Sequence, residues 1–224
     1  MIDKIMDTNS VRLVGKVASG KVFSHEMYGE GFYIIDLEVP RLSDSVDLLP
    51  VTISERLMVD MDLSLDQYVI IEGQLRSYNR YIDNSNRLVL TIFAKDIYIP
   101  EEEELTEALR KPNEIYLDGY ICKKPIYRTT PFGREITDIL IAVNRSYNKS
   151  DYIPCIAWGR NARFCEKMLV GDHIKLWGRI QSREYQKKLP TGEVDKKIAF
   201  EVSVSKLEYV ENDNNRLIAC EQEG

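Results

Sequence analysis

Apolar and polar residues alternate along much of this chain, in short blocks that are separated by turn residues. The blocks are rich in β-branched and aromatic side chains, which is typical of half-buried β-strands. The clearest of them are residues 32–39, 67–75, 88–99, 136–143, 173–181 and 198–210. This pattern predicts a mainly β protein.

The series of blocks occurs twice, because the sequence repeats itself at a shift of 104 residues. Residues 9–15 align with 113–119, and the shift grows to 105 and then 111 further along the chain. The growth indicates two small loop insertions in the second copy. A repeat of this length indicates two complete domains rather than a solenoid.

Each copy has about five predicted strands, with one predicted helix between the third and the fourth. The helix candidates are residues 55–63 in the first copy and 160–169 in the second, where Gly171 is a stop signal. This order is that of the OB-fold, a five-stranded Greek-key barrel. We therefore expect two tandem OB-folds, at 1–100 and 113–210. An acidic linker, 101–112, separates the barrels, and a short acidic tail follows at 211–224.

Strand parity divides the side chains of the second copy between an interior and an outer face. Residues 151–158 place Tyr152 and Trp158 opposite Ile153 and Ala157, which belong to the predicted interior. The fourth strand carries cations and aromatic rings on its predicted exposed face, namely Lys175, Trp177, Arg179, Gln181, Arg183 and Tyr185. Cations contact phosphates and rings stack on unpaired bases, so this face favours single-stranded nucleic acid. Aromatic residues and arginine also suit a protein interface.

The first copy keeps the apolar interior but loses this outer face. The residues equivalent to Tyr147, Tyr152 and Trp158 are Ser43, Leu48 and Ser54, and those equivalent to Lys175, Trp177 and Arg179 are Ile70, Glu72 and Gln74. We therefore expect a degenerate binding face in the first copy. A modest basic and aromatic patch, or simply solvated loop residues, is expected at Tyr78, Arg80, Tyr81 and Arg87.

The charge of −6 is unevenly distributed along the 224 residues. Residues 113–210 carry a net charge of +5, whereas 1–100 carry −5, and the linker and the tail carry −3 each. A basic second half between acidic segments is compatible with nucleic-acid binding by that half.

The second copy resembles the bacterial single-stranded DNA-binding protein family. The resemblance rests on Asn113-x-Ile115-x-Leu117-x-Gly119, Pro125-x-Tyr127-Arg128-x-Thr130-x-x-Gly133, and residues 141–145, 152–160 and 175–183. It implies that bases stack on Tyr147, Tyr152, Trp158 and Tyr185. The family commonly assembles four OB-folds, which implies a homodimer here. The first copy resembles the family more weakly, and residues 212–224 lack the family's long tail with an acidic tip.

The resulting hypothesis is sequence-independent binding of single-stranded DNA in replication, recombination or repair, mainly through the second copy. The residues expected to contact phosphates are Arg128, Arg145, Arg179, Arg183, Lys187 and Lys188, with Lys175 and Trp177 on the same face. One alternative is an assembly module of primosome type that binds DNA weakly. RNA binding is a third possibility, because bases of both nucleic acids stack alike.

Other classes of function find little support in the sequence. Residues 15–21 approach a phosphate-binding loop, but Val22 follows in place of Ser or Thr. His25 and His173 have no partners at metal-binding spacing. We expect no enzyme activity, metal, cofactor, small-molecule substrate or membrane contact. Cys122, Cys155, Cys165 and Cys220 show no C-x-x-C spacing, which favours free thiols in the cytoplasm.

Overall fold

The structure is a computed structural model, and it describes residues 8–59, 61–82, 85–188 and 194–211. Two α-helices, α1 (Glu102–Ala108) and α2 (Arg160–Cys165), and one 3-10 helix (Glu55–Met58) accompany the strands. The strands are β1 (Asn9–Val17), β2 (Val22–Met27), β3 (Glu30–Pro40), β4 (Val46–Ser54), β5 (Tyr68–Ile82), β6 (Ser85–Tyr98), β7 (Asn113–Thr129), β8 (Glu135–Arg145), β9 (Lys149–Trp158), β10 (His173–Lys188) and β11 (Val194–Val210).

Each half of the chain closes into a barrel with the same strand order. In the second half the order is β7-β8-β9-β11-β10, and β10 pairs back onto β7. In the first half it is β1-β3-β4-β6-β5, and β5 pairs back onto β1. β9 and β11 are parallel in the second barrel, as are β4 and β6 in the first, and the other neighbouring strands are antiparallel. The predicted OB-fold class is confirmed.

The first strand of the barrel is continuous in the second half but broken in the first. Residues 18–21 interrupt it between β1 and β2, and the Asp36 N–H donates a hydrogen bond to Ser19 Oγ at 2.8 Å. Beyond this break β2 pairs only with β3, and all of its residues are exposed. The first barrel therefore has a projecting β2–β3 hairpin.

The helices are shorter than the sequence pattern predicts. Only the 3-10 helix Glu55–Met58 forms in the first barrel, so the predicted helix 55–63 is wrong in type and length. Val59 has low helix propensity, and Asp62 would place a negative charge near the negative end of the helix dipole. In the second barrel α2 ends at Cys165, four residues before the predicted end.

The linker does more than separate the barrels, because α1 packs on the first of them. Ala108 of α1 is buried against Val14 and Ile70, and Leu105 and Leu109 pack beside it. The three acidic residues of the first turn of α1 point to solvent. The linker therefore covers an apolar patch that the first barrel would otherwise expose.

One glycine in each barrel, at equivalent positions of the repeat, lets two strand backbones approach closely. Gly73 and Gly178 lie at register shifts of the β5–β6 and β10–β11 pairs. A Cβ atom at either position would overlap the carbonyl oxygen of Phe93 or Ser203. The repeat keeps glycine here because only a residue without a side chain fits against the neighbouring backbone.

The two barrels share one continuous sheet through antiparallel pairing of β1 with β7. Val11 lies opposite Ile115, the residue that is 104 positions further along the chain. Each strand therefore pairs with its own repeat equivalent, as the two copies of an isologous dimer do. The chain is an intramolecular pseudo-dimer with approximate two-fold symmetry at Val11 and Ile115.

A pair of buried carboxylates crosses the same interface in both directions. Asp47 of the first barrel accepts hydrogen bonds from the Ser182 N–H at 2.7 Å and from Arg41, and Arg179 lies 3.5 Å away. Neither Asp47 nor its repeat equivalent Asp151 is exposed.

Asp151 makes the reciprocal contacts from the second barrel. It accepts hydrogen bonds from the Ser77 N–H at 2.8 Å, from Arg76 at 2.9 Å and from Arg145 at 3.3 Å. Each carboxylate is thus held by an arginine of its own barrel and by backbone and arginine groups of the other.

Replacing Asp47 with alanine is expected to lower the free energy of unfolding by about 3–5 kcal/mol, because removing one partner leaves buried cations uncompensated. Urea titration followed by circular dichroism measures the change. The control is Asp44→Ala, an exposed aspartate in the loop just before β4, which is expected to change stability by less than about 0.5 kcal/mol. Equal stability of both variants would contradict the role given to Asp47.

Candidate nucleic-acid interface

Four aromatic side chains of the second barrel reach solvent at the positions implied by the resemblance. Tyr152 and Trp158 lie on β9, and Tyr185 lies on β10, with exposures between 37% and 46%. Tyr147 occupies the turn between β8 and β9, where its positive φ of 63° projects it outward and leaves it 94% exposed. All four rings are therefore available to a ligand.

Strand alternation accounts for the outward positions on β9. Ile153, Cys155 and Ala157 are buried in the barrel, so Tyr152 and Trp158 lie on the other face. The interior predicted for this strand is confirmed. The Trp158 indole Nε1–H donates a hydrogen bond to Ser203 Oγ at 3.2 Å, which fixes the ring across β11.

Tyr185 is brought to this face from the far end of β10. It lines a groove of about 760 Å³ together with Pro154 and Lys197. Pro154 lies on β9 between Tyr152 and Trp158, so the fold gathers these three rings on one side of the barrel. Arg87 and Leu88 of the first barrel form the opposite wall of the groove.

Trp177 and Lys175 occupy a different part of the surface. Trp177 is half-buried, with Tyr116 at 5.1 Å between ring centroids and Lys206 Nζ 4.4 Å from its ring. Lys175 Nζ lies 3.9 Å from Asp118. Lys175 and Trp177 are therefore less exposed than predicted, because side chains of β7 and β11 contact them.

Arg179 and Arg145 belong to the interface between the barrels. Arg179 contacts Asp47, and both burial and the neighbouring Arg41 lower the pKa of its guanidinium, which the Asp47 charge only partly offsets. Arg145 contacts Asp151 from the end of β8. The Arg179 side chain keeps 40% of its surface exposed, as predicted, but it also contacts the other barrel. The predicted exposure is wrong for Gln181, which is buried and donates a hydrogen bond to Glu201 at 2.8 Å.

Arg128 and Arg183 remain on the outer face, but each has an acidic neighbour. Arg128 donates two hydrogen bonds to Asp138, at 2.8 and 3.1 Å, and this contact raises the pKa of its guanidinium. Arg183 Nε lies 3.6 Å from Glu201. An incoming phosphate has to compete with these carboxylates.

The remaining two predicted cations are at the end of β10. Lys187 and Lys188 belong to this strand by their backbone, but their side chains lie outside the described residues, as does the hairpin tip 189–193. Lys197 lies opposite Tyr185 in the β10–β11 pair.

A second groove lies on the first barrel, and it includes Tyr78, Arg80 and Tyr81 of the basic and aromatic patch considered from the sequence. It has a volume of about 850 Å³, and its aromatic lining residues are Phe23, His25, Tyr78, Tyr81 and Phe93. Arg76, Arg80 and Arg145 also line it. Only the β5 residues stood out in sequence, because the other rings come from β2 and β6, far away along the chain.

The described residues contain little that indicates other chemistry. No group of three or more His, Cys, Asp or Glu side chains converges on a metal site among them. Cys122, Cys155 and Cys165 are free thiols, and burial raises the pKa of Cys165 to about 11. In the described part of the chain, no helix is long and apolar enough to cross a bilayer.

Comparison with known proteins gives matches in the second half. The model of the single-strand binding protein family matches residues 112–210. The chain is 32% identical over 84 residues to single-stranded DNA-binding protein B of Bacillus subtilis (strain 168), covering 33% of this chain and 72% of that protein. It is 35% identical over 81 residues to single-stranded DNA-binding protein 1 of Staphylococcus aureus (strain COL), covering 33% of this chain and 48% of that protein.

Solved structures extend the likeness to nearly the whole chain. The wild-type single-stranded DNA-binding protein from Thermus aquaticus has a TM-score of 0.71 at 19% identity, over 91% of this chain and 93% of that one. The N-terminal domain of the PriB protein from Thermoanaerobacter tencongensis is 54% identical over 42% of this chain and 98% of that one, with a TM-score of 0.38.

The Thermus structure agrees with the barrel topology, and the family model covers the residues that carry the resemblance. The Thermus likeness concerns the fold, whereas the Bacillus relative is matched over most of its own length. The chain belongs to the single-strand binding protein family.

Proposed function

We propose that this protein binds single-stranded DNA with little sequence preference, mainly through its second barrel. The observation that carries the proposal is the outward aromatic set on that barrel, Tyr147, Tyr152, Trp158 and Tyr185. It lies within the residues matched by the family model. We further propose a role without catalysis in cytoplasmic DNA replication, recombination or repair.

Stacking supplies the affinity in this mechanism and also explains the absence of sequence preference. Every base has an aromatic face, and stacking of one base contributes about 1–3 kcal/mol. Tyr152 and Trp158 are six residues apart on one strand, which separates them by about 20 Å. The rings therefore contact different nucleotides of an extended strand.

Phosphate contacts come from Arg128, Arg145 and Arg183, with Lys187 and Lys188 at the end of β10. Arg128 and Arg183 exchange a carboxylate partner for a phosphate when DNA binds. The exchange reduces the net gain from each contact, so stacking dominates the affinity. Arg179, Lys175 and Trp177 lie further from the strand in this proposal. Arg179 helps to hold the two barrels together, and Lys175 and Trp177 contact β7 of their own barrel.

We also propose that the chain forms a homodimer. The pairing of β1 with β7 already joins two barrels within one chain. Two chains then supply the four barrels that the family commonly assembles.

The double variant Trp158→Ala with Tyr185→Ala tests the stacking face. Losing two platforms is expected to weaken oligo-dT binding by at least about thirtyfold, since each ring contributes about 1 kcal/mol or more. A titration of fluorescent oligo-dT measures the change, and the same titration with oligo-U tests whether RNA is bound equally well.

Tyr209→Ala is the matched control for this variant. Tyr209 is exposed to a similar degree as Tyr185 but lies near the opposite end of the β10–β11 pair. Unchanged affinity in the double variant, with loss of self-association instead, would identify the aromatic face as a protein interface and overturn the proposal.

The variant Asp138→Asn tests whether the Asp138 carboxylate competes with DNA phosphate for Arg128. Removing the carboxylate frees the guanidinium, so affinity for oligo-dT at low salt is expected to rise by up to about fivefold. The slope of log affinity against log salt is expected to steepen by about 0.7, the value for one added phosphate contact. Glu101→Gln removes the same charge from the linker, and an equal rise there would assign the effect to net charge alone.

Light scattering of the free protein tests the proposed dimer. The expected mass is twice that of the 26.0 kDa chain. A single-chain mass at micromolar concentration, with and without a 30-mer of oligo-dT, would contradict it.

A further inference from the structure

We propose that the first barrel has its own groove for unpaired bases, and that this groove continues the aromatic face of the second barrel. This inference rests on the proposed function, and it departs from the expectation that the first barrel has a degenerate face. The first-barrel groove is defined by Phe23, His25, Tyr78, Tyr81 and Phe93.

Three of the aromatic residues of the first-barrel groove contact further rings on β3. His25 stacks on Phe32 at 4.9 Å between ring centroids, and Phe32 lies 5.7 Å from Phe93. Phe23 contacts Tyr33 edge to face at 5.7 Å. Each of the groove rings His25, Phe93 and Phe23 therefore contacts a neighbouring ring of β3, of which Phe32 is buried and Tyr33 is half-buried.

The five rings that line the first-barrel groove are not part of the hydrophobic core. Phe23 is 58% exposed on a strand whose residues all face solvent, and Tyr78 and Tyr81 are also exposed. Exposed apolar rings that line a concave surface indicate a ligand site more often than scattered single ones do.

The pairing registers show that comparable aromatic side chains lie on different strands in the two barrels. Ser203 of β11 lies beside Ile156, and Phe93 of β6 holds the equivalent place beside Thr52. The second barrel therefore combines Trp158 with Ser203, whereas the first combines Ser54 with Phe93. Both barrels thus have an aromatic ring in this region, Trp158 on β9 in the second and Phe93 on β6 in the first.

The pairing registers also show that the first-barrel groove lacks two carboxylates that the second barrel has at the equivalent positions. Asp138 and Glu201, which pair with arginines in the second barrel, correspond to Ile34 and Thr91. The Thr91 hydroxyl hydrogen-bonds to Thr52 at 2.8 Å. A phosphate that enters this groove meets no competing acid at either position.

Cations border the groove on the side of the interface. Arg76 and Arg145 share the single carboxylate of Asp151, which leaves one positive charge in excess. Arg80 is exposed further along β5. The groove therefore combines stacking platforms with a cationic wall, as sites for single strands do.

The groove adjoins the stacking residues of the second barrel. The Tyr152 N–H donates a hydrogen bond to Ser77 Oγ at 2.7 Å, and Ser77 lines the groove. Arg145 also lines it and lies two residues before Tyr147. A strand bound at Tyr147 and Tyr152 can continue directly over Tyr78 and Tyr81. Because the sites are linked, occupation of one raises the effective concentration at the other.

The test uses the full-length triple variant Phe23→Ala, Tyr78→Ala and Arg80→Ala. A short oligo-dT of about 10 nucleotides fills one barrel, whereas a 30-mer spans both. The variant is expected to bind the short strand as the wild type does, within twofold. It is expected to bind the 30-mer at least tenfold more weakly and to occlude fewer nucleotides. Tyr209→Ala is the control and is expected to match the wild type with both strands.

Photocrosslinking provides a readout that does not depend on the variant's folding. A 30-mer of oligo-dT with 5-iodouracil is irradiated on the wild-type protein, and the crosslinked peptides are identified by mass spectrometry. Crosslinks at Phe23, Tyr78 or Tyr81 support the groove, and crosslinks confined to the second barrel overturn it.

The two proposals fail in distinguishable ways. A wild-type protein that binds neither strand refutes the proposed function and the groove together. A wild-type protein that binds both strands, with a triple variant that binds the 30-mer equally well, refutes only the groove.

Discussion

The reciprocal contacts of two buried carboxylates set the relation between the barrels, and the surfaces of both depend on it. Asp47 and Asp151 each accept a backbone N–H and an arginine from the other barrel. An unpaired charge in this position would be costly, so the arrangement tolerates little rotation. Together with the pairing of β1 and β7, it holds Arg145 and Ser77 at a common border. That border brings the aromatic face of the second barrel next to the first-barrel groove.

The two copies share one architecture but differ in the side chains on their outer faces. Both barrels keep the apolar interior, the matched glycines and the interface aspartates, because each of these satisfies a packing or hydrogen-bonding requirement of the fold. The outer faces are free of these requirements and have diverged. The second barrel has rings on β9 and β10 together with arginine–carboxylate pairs. The first barrel has rings on β2, β5 and β6, with Ile34 and Thr91 where the second has acids.

Much of the fold and part of the site followed from local pattern. The alternation around Ile153 and Ala157 predicted the outward positions of Tyr152 and Trp158 correctly, because pleat parity depends only on neighbours in the chain. The same reasoning failed for Gln181, which is buried, and was only partly right for Trp177, which is half-buried. Side chains of β7 and β11 contact these two residues, and no pattern within β10 indicates those contacts.

The amino-acid order alone was enough for the two barrels, the acidic linker and the aromatic residues of the second copy, because alternation, repetition and motif spacing are properties of contiguous residues. The path of the linker helix over Val14, the pairing of Arg128 with Asp138 and the gathering of Phe23, Tyr78 and Phe93 into one groove required the folded chain. Aligned position by position, the first copy has Ser54 where the second has Trp158. That Phe93 of β6 lies beside β4 close to this position is visible only in the folded chain, since strands far apart in sequence are adjacent in a closed barrel.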